Sequence, residues 1–358
     1  MEAETVERIV SVALGSEVRS CYRPRSGSVA DTAICRLAVD GDDAPRVVCK
    51  RGGASVWTGD VIEPLVVEHV AATTDLPVPA VLASGSISGT ERERGRGDPL
   101  ERWACYEFRA GTNPGPRYLD LEPAVRRRLV ADAGGLLGRL HATPALAFDR
   151  VGGLARSADG TGLHLRDPDG WHAIDPGPPL NSLPVSLAGD DGCRPVVTHG
   201  DYQPGNLLIA GSDSDAKPGT VTAVLDWGNA HVTHAEYALA RAEVRFIDGY
   251  AGRLSRDERN RLRRAFRGRY AERGSLESAF DRRAPIYKLL WAAQSGANYL
   301  QIARDSRGRQ QLRRQCRQLL ECGRWTPVRQ SVVSLGSDPS ESRPTGSCSS
   351  RRIYFAFR

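Results

Sequence analysis

The stretch at residues 198–227, THGDYQPGNLLIAGSDSDAKPGTVTAVLDW, constrains the fold of this chain more than any other. It opens on a polar turn, HGDYQPGN. An apolar strand at 207–210 follows, then a loop rich in Gly, Ser, Asp and Pro, then a second strand at 221–225. Apolar runs on either side of such a loop pair as an antiparallel hairpin. The second run ends on Asp226, so the hairpin brings Asp201, Asn206 and Asp226 to one end of a small sheet. Two carboxylates and an amide oxygen converging on a turn suit Mg²⁺, which takes oxygen ligands and keeps places for phosphate and water. The plainer reading is a solvated turn in which Asp and Asn serve turn chemistry alone. The fixed spacing, the strands on both sides and the terminal Asp-Trp favour the first reading.

HGD-x4-N followed by an apolar LDW resembles the catalytic and metal-binding segments of the aminoglycoside phosphotransferase and choline kinase family. These are protein-kinase-like enzymes that phosphorylate small molecules from ATP. The resemblance implies an α+β, protein-kinase-like two-lobed fold with a small β-rich N-lobe and a larger, mainly helical C-lobe. It implies Asp201 as catalytic base, Asn206 as a Mg²⁺ ligand and Asp226 as the principal Mg²⁺ ligand. In protein kinases these parts belong to the catalytic-loop Asp and Asn and to the Asp that opens the activation segment. The likeness spans about residues 34–320. It is specific at 198–227, moderate at Lys50 and Glu63, and weaker elsewhere.

The N-lobe is expected over residues 1–110. Residues 1–20 read as a helix with Val6, Ile9, Val10, Ala13 and Leu14 on one stripe. Strands are expected at 32–39 and 46–50, joined by a Gly-Asp-Asp turn and preceded by Ser26, Gly27 and Ser28. Small residues there let backbone N–H groups approach phosphates, although the protein-kinase G-x-G-x-x-G pattern is absent. Lys50 ends the strand VVCK, and only Lys50, Lys217 and Lys288 are lysines in a chain whose basic residues are otherwise Arg. By the resemblance Lys50 reaches the α- and β-phosphates of ATP and pairs with Glu63. Glu68, five residues on and about 140° round the helix, then faces away. A strand at 76–85 and another at 101–110 follow, the latter running into a hinge where Glu107 and Phe108 lie beside adenine.

The C-lobe is expected over 111–325. Residues 126–143 read as a helix ending in LGRLHA, with His141 in a structural role, and residues 150–192 as a loop-rich insertion. After Asp226, family members carry an Asp at a D-L-A-type helix start that braces the catalytic loop. Here Ala238 stands in its place, so bracing falls to Glu236 or another acid, or the chain is a nucleotide-binding pseudokinase that acts as a binding module. Helices are expected at 253–274, 285–304 and 310–323, and a disordered Ser-, Pro- and Gly-rich tail at 326–358.

Composition sets the remaining bounds. With 358 residues and 40% apolar content the chain can bury a substantial core. No long apolar run suggests a membrane span, and the acidic, amphipathic N-terminus is unlike a signal peptide, so a cytoplasmic protein is expected. The eight Cys form no C-x-x-C pair, which points away from zinc and from a disulfide framework. The net charge of +6 is uneven: residues 251–324 hold eighteen Arg and one Lys against seven acids. A nucleic-acid partner would exploit that cluster, yet interleaved aromatics and a known module are absent. The expected substrates are ATP with Mg²⁺ and a small-molecule hydroxyl. Asp159, Asp167, Asp169, Asp175, Asp190 and Asp191 could line a pocket for a polycation, while the basic helices argue for a neutral or anionic alcohol.

Overall fold

Alternation along the early strands sorts the N-terminal sheet into two faces. In the computed structural model, which describes residues 1–24, 30–39, 44–87, 101–166, 194–211 and 215–297 (292–297 as backbone only), five antiparallel strands form this sheet. They are β1 (Val18–Tyr22), β2 (Ala30–Leu37), β3 (Arg46–Gly52), β4 (Val81–Ile87) and β5 (Glu101–Glu107), in the order β1-β2-β3-β5-β4. Cys35, Cys49, Trp103 and Cys105 point to one face, where α1 (Ala3–Leu14) covers them with Val6, Ile9 and Val10. Lys50 pairs with Ala104 in the β3–β5 register, one residue out of phase with Cys49 and Cys105, and so emerges on the opposite face. That face meets α2 (Glu63–Thr73), whose Val66, Val67 and Val70, with Ile62 just before the helix, join the main core.

Helix α1 is shorter than the pattern predicts. Gly15, with φ +62°, closes it in the left-handed region, and the chain re-enters as β1. The cysteines act as small hydrophobes. Cys49 Sγ lies 3.3 Å from Cys105 Sγ and 4.0 Å from Cys35 Sγ, and the Cys105 contact together with burial pushes the Cys49 thiol up to about 12.

The rest of the described chain is mainly helical. α3 (Pro123–Ala142) packs against α5 (Arg256–Ala271), and α4 (Ala235–Phe246) against α6 (Phe280–Ala297). The α3–α5 approach depends on glycine, because a Cβ at Gly134 would lie 2.1 Å from the Phe266 carbonyl oxygen. The expected hairpin forms as β9 (Leu207–Ile209) and β10 (Val221–Val224). The region read as a loop-rich insertion instead begins with a hairpin, β6 (Gly152–Arg156) and β7 (Leu163–Arg166). It joins a sheet of order β7-β6-β11-β8 with β8 (Pro195–Thr198) and β11 (His231–His234). Strand β11 is too short and His-rich to stand out from the sequence, and pairing along β8 selects it. Residues 88–100, most of the insertion (167–193), the expected helix at 310–323 and the tail at 326–358 lie outside the described residues. Among the described residues no helix is long and apolar enough to cross a membrane.

His141 occupies the structural place expected of it. It is buried on α3, its Nδ1 2.9 Å from the Tyr270 hydroxyl, and burial with the nearby Arg194 lowers its pKa to about 3. The unfolded chain takes up this proton near pH 6.5, whereas the folded chain refuses it until about pH 3. Stability from this group is therefore full above pH 6.5 and falls as the pH drops below it. The expected loss between pH 7 and pH 5 is about 2 kcal/mol. Denaturant unfolding at both pH values checks this, and His141→Asn should flatten the difference by that amount.

Candidate active site

The HGD turn follows β8 directly, and each residue in it has a distinct physical duty. Gly200 has φ +83°, and a Cβ there would sit 1.8 Å from the Asn229 carbonyl oxygen, so only glycine fits. His199 is fully buried. Its Nε2 lies 2.8 Å from the Leu225 carbonyl oxygen, to which it donates, while its Nδ1 accepts the Asp201 amide N–H at 3.2 Å. With one nitrogen donating and the other accepting, the ring is neutral, and burial holds its pKa below the usual value. The ring also packs against Trp227 at a tilt of 44°, with centroids 4.6 Å apart. His199 thus ties the turn to the strand end that carries Asp226.

Both carboxylate oxygens of Asp201 are engaged. Oδ1 accepts from Arg245 Nη2 at 2.7 Å, and Oδ2 accepts from Gln203 Nε2 at 2.7 Å and from Asn206 Nδ2 at 3.1 Å. Burial pushes this carboxyl up, but the charges of Arg245 and Arg241 and the bond from Asn206 outweigh it and hold it below the usual range. Asn206 closes a single 3₁₀ turn, Pro204–Asn206, and its Nδ2 also reaches the Asp201 carbonyl at 2.8 Å. That orientation commits the amide nitrogen to Asp201 and leaves Oδ1 as the atom able to meet a cation. The Asn206 carbonyl accepts from the Leu225 amide at 2.8 Å, which fixes the turn against β10.

Asp226 has φ +65°, the sole non-glycine residue at positive φ among the described residues. Asp tolerates this region better than most residues, and such strain collects at functional sites. Its side chain is 56% exposed, and Oδ1 lies 3.3 Å from Lys50 Nζ. Lys50 also donates to both Glu63 oxygens, at 2.7 and 2.9 Å. Burial would lower the Lys50 pKa, yet Glu63 and Asp226 outweigh it and hold the ammonium charged. Glu63 Oε1 accepts the Trp227 amide at 3.2 Å, so one carboxylate links α2, β3 and the turn after β10. Glu68 is exposed, as the helix period predicts.

Lys50, Glu63, Asp201, Asn206 and Asp226 therefore belong to one connected region. Glu107 and Phe108 lie at the end of β5. The Glu107 amide already donates to the Ala80 carbonyl at 2.9 Å, its carboxylate receives Arg109 and the Ala80 amide, and Arg46 stacks on Phe108 at 3.9 Å. A free backbone edge for a base accordingly has to lie beyond Glu107. Ser26, Gly27 and Ser28 are outside the described residues.

The bracing expected of Glu236 is corrected by its surroundings. Glu236 is buried and paired with Arg283, whose Nε is 2.6 Å from Oε2, so its charge is spent inside the helical core. The turn is instead held by arginines one and two turns further along α4. Arg241 donates to the Gly200 carbonyl and contacts His231, and Arg245 holds Asp201. Their i, i+4 spacing on the helix after Asp226 was the available signal. An Asp at 238 would accept bonds from the turn, whereas Arg241 donates to it, so the polarity of the brace is inverted.

A β-rich lobe whose Lys50–Glu63 pair meets a helical lobe at the HGD turn defines a protein-kinase-like two-lobed α+β fold, and solved structures share it. A microcompartment-associated aminopropanol kinase matches with a TM-score of 0.57 at 14% identity, over 89% of this chain and 95% of its own. Amicoumacin kinase hAmiN, in complex with AMP-PNP, Ca²⁺ and Ami, matches with 0.59 at 10% identity, over 90% and 94%. A thermostable mutant of aminoglycoside phosphotransferase APH(4)-Ia, with AMP-PNP and hygromycin B, matches with 0.50 at 16% identity, over 90% and 100%. At these identities the likeness concerns the fold. No curated protein matches the chain. Residues 38–286, more than half of the chain, match the profile of the APH phosphotransferase enzyme family, and the chain belongs to that family.

Proposed function

We propose that the chain transfers the γ-phosphate of ATP to a hydroxyl of a small molecule. The observation that carries this reading is the convergence of two networks on one end of the β9–β10 hairpin. One is Lys50 with Glu63 and Asp226; the other is Asp201 with Asn206. In this reading residues 1–110 cover the nucleotide and the following helical region supplies the base and the acceptor site. ATP-dependent ADP release with a panel of hydroxylated compounds tests it, and a chain that neither binds MgATP nor releases ADP with any of them would remove it.

The residues present fit Mg²⁺. Asp226 offers an exposed carboxylate held in a fixed backbone conformation, and Asn206 offers the amide oxygen left over by its bonds to Asp201. One carboxylate and one amide oxygen suit a cation that completes its shell with phosphate and water. When bound, the ion would neutralise charge on the transferring phosphate.

The protein's own groups do the rest. Lys50, kept charged by Glu63, orients the α- and β-phosphates. Asp201, kept ionised by Arg245, aligns the acceptor hydroxyl and receives its proton as the oxygen–phosphorus bond forms and the bond to the departing ADP oxygen breaks. His199 holds the turn and, being neutral with both nitrogens committed, transfers no proton. Positioning and electrostatic stabilisation supply most of such catalysis. The brace from Arg241 and Arg245 favours this enzyme reading over a binding module, since the turn is held without an Asp at 238.

Asp226→Asn is expected to raise the Mg²⁺ concentration needed for ATP binding by about tenfold or more, because an anionic ligand becomes neutral. Asn206→Ala should raise it less. A Mg²⁺ titration of nucleotide binding measures both, and an unchanged dependence in Asp226→Asn would remove Asp226 from the metal site.

A further inference from the structure

Two arginines, Arg241 and Arg245, meet the proposed acceptor end of the site. Arg245 reaches Asp201 Oδ1 through Nη2 alone, and its side chain is 30% exposed, so this residue meets both the proposed base and solvent. Its Nε is buried with no hydrogen-bond partner. Arg241 places a second positive charge behind it, on the Gly200 carbonyl. The carboxylates nearby on α4 and the turn after it are already taken. Glu243 is held by Arg267 and Lys288, and Asp248 by Arg263 and Lys288. Among the described residues of α4 and the turn after it, no acid is left over to receive an ammonium group.

An acceptor must bring its hydroxyl to Asp201 and therefore its neighbouring substituent to Arg245. An ammonium there meets a like charge at close range, whereas a carboxylate or phosphate meets the planar fork that binds such groups in two-pronged fashion. Resting on the phosphotransferase reading, we infer that the acceptor is a hydroxylated compound with an anionic group beside its reacting hydroxyl, and that Arg245 receives that anion while remaining in contact with Asp201. Arg245 is then a specificity-determining residue. Charge selection there would set this chain apart from a kinase of an amino alcohol, such as its structural neighbour the aminopropanol kinase. The transfer itself stays balanced: the hydroxyl proton passes to Asp201, the oxygen bonds to the γ-phosphorus, and ADP leaves.

The test uses the full chain with saturating MgATP and two sets of acceptors matched in size. The first set is lactate, 1,2-propanediol and 1-amino-2-propanol; the second is glycerate, glycerol and 3-amino-1,2-propanediol. ADP release gives kcat and KM, and calorimetry with AMP-PNP bound gives affinity. The hydroxy acid is expected to exceed the amine at least tenfold in kcat/KM or affinity in at least one set, mainly through KM. Arg245→Gln should abolish that preference, Arg245→Lys keep part of it and Arg245→Glu reverse it, all with MgATP affinity unchanged. A merely structural Arg245 would alter rates for all acceptors alike and leave their ratio untouched. The inference is overturned if no hydroxy acid surpasses its matched neutral alcohol, if the amines are preferred, or if the preference survives Arg245→Gln. Preference for amines would leave the phosphotransferase reading standing, whereas failure to bind MgATP would remove both.

Discussion

Asp201→Ala is expected to cut phosphotransfer by roughly 10²–10⁴-fold while MgATP affinity stays near the wild-type value. The split follows from where Asp201 sits. Its carboxylate touches Arg245, Gln203 and Asn206, whereas the side of the site proposed for the nucleotide is built from Lys50, Glu63 and Asp226. Loss of the carboxylate removes the acceptor of the hydroxyl proton, a cost of about 3–5 kcal/mol in the transition state. It also frees Arg245, so a second variant is needed to separate the two effects. Asp201→Asn keeps the shape and an oxygen for Arg245 but cannot take up the proton, and it should be nearly as slow as Asp201→Ala. Single-turnover phosphotransfer and nucleotide binding measured on the same preparations decide the matter. Wild-type-like turnover in either variant would remove Asp201 from the chemistry.

Much of the site was legible because it lies in short stretches with strong local signals. The hairpin between the HGD turn and Asp226 announces itself by two apolar runs around a Gly- and Pro-containing loop, and β9 and β10 form there. The pairing of Lys50 with Glu63 was implied by the family resemblance, and the helix period, which places Glu68 elsewhere, agrees with it. What stayed hidden depends on contacts between distant segments. Strand β11 has four residues, HVTH, and becomes a strand through its registers with β8 and β6. Gly200 is required by the Asn229 carbonyl twenty-nine residues away, which no local pattern reveals. The arginines that hold the HGD turn were hidden for another reason. In a sequence where nearly every cation is Arg, Arg241 and Arg245 look like two more solvated side chains. The seat of Arg241 over the Trp57 ring and its bond to the Gly200 carbonyl, with the salt bridge from Arg245, separate them from the rest.

Glu236→Ala is expected to destabilise the fold by about 3 kcal/mol or more without disabling the catalytic turn. Glu236 and Arg283 are both about 1% exposed, and removal of one partner leaves the other as a buried charge. Breaking such a pair typically costs about 3–5 kcal/mol. Arg283 retains Glu277, at 2.5 Å and only partly buried, so the lower end of that range applies. The same reasoning predicts that Glu236→Leu combined with Arg283→Leu recovers most of the loss, because two apolar side chains replace the pair and no charge is stranded. Glu277 is 24% exposed and can turn to water. Denaturant unfolding of the two single variants and the double variant gives the coupling directly. ADP release at a temperature where all remain folded then separates stability from bracing. Glu236 makes no hydrogen bond to residues 199–201, which are held by Arg241, Arg245 and Leu225, so turnover per folded molecule should stay near the wild-type value. A Glu236→Ala protein that kept its stability but lost turnover would return the bracing role to Glu236, and Arg241 and Arg245 would no longer account for an active site that lacks an Asp at 238.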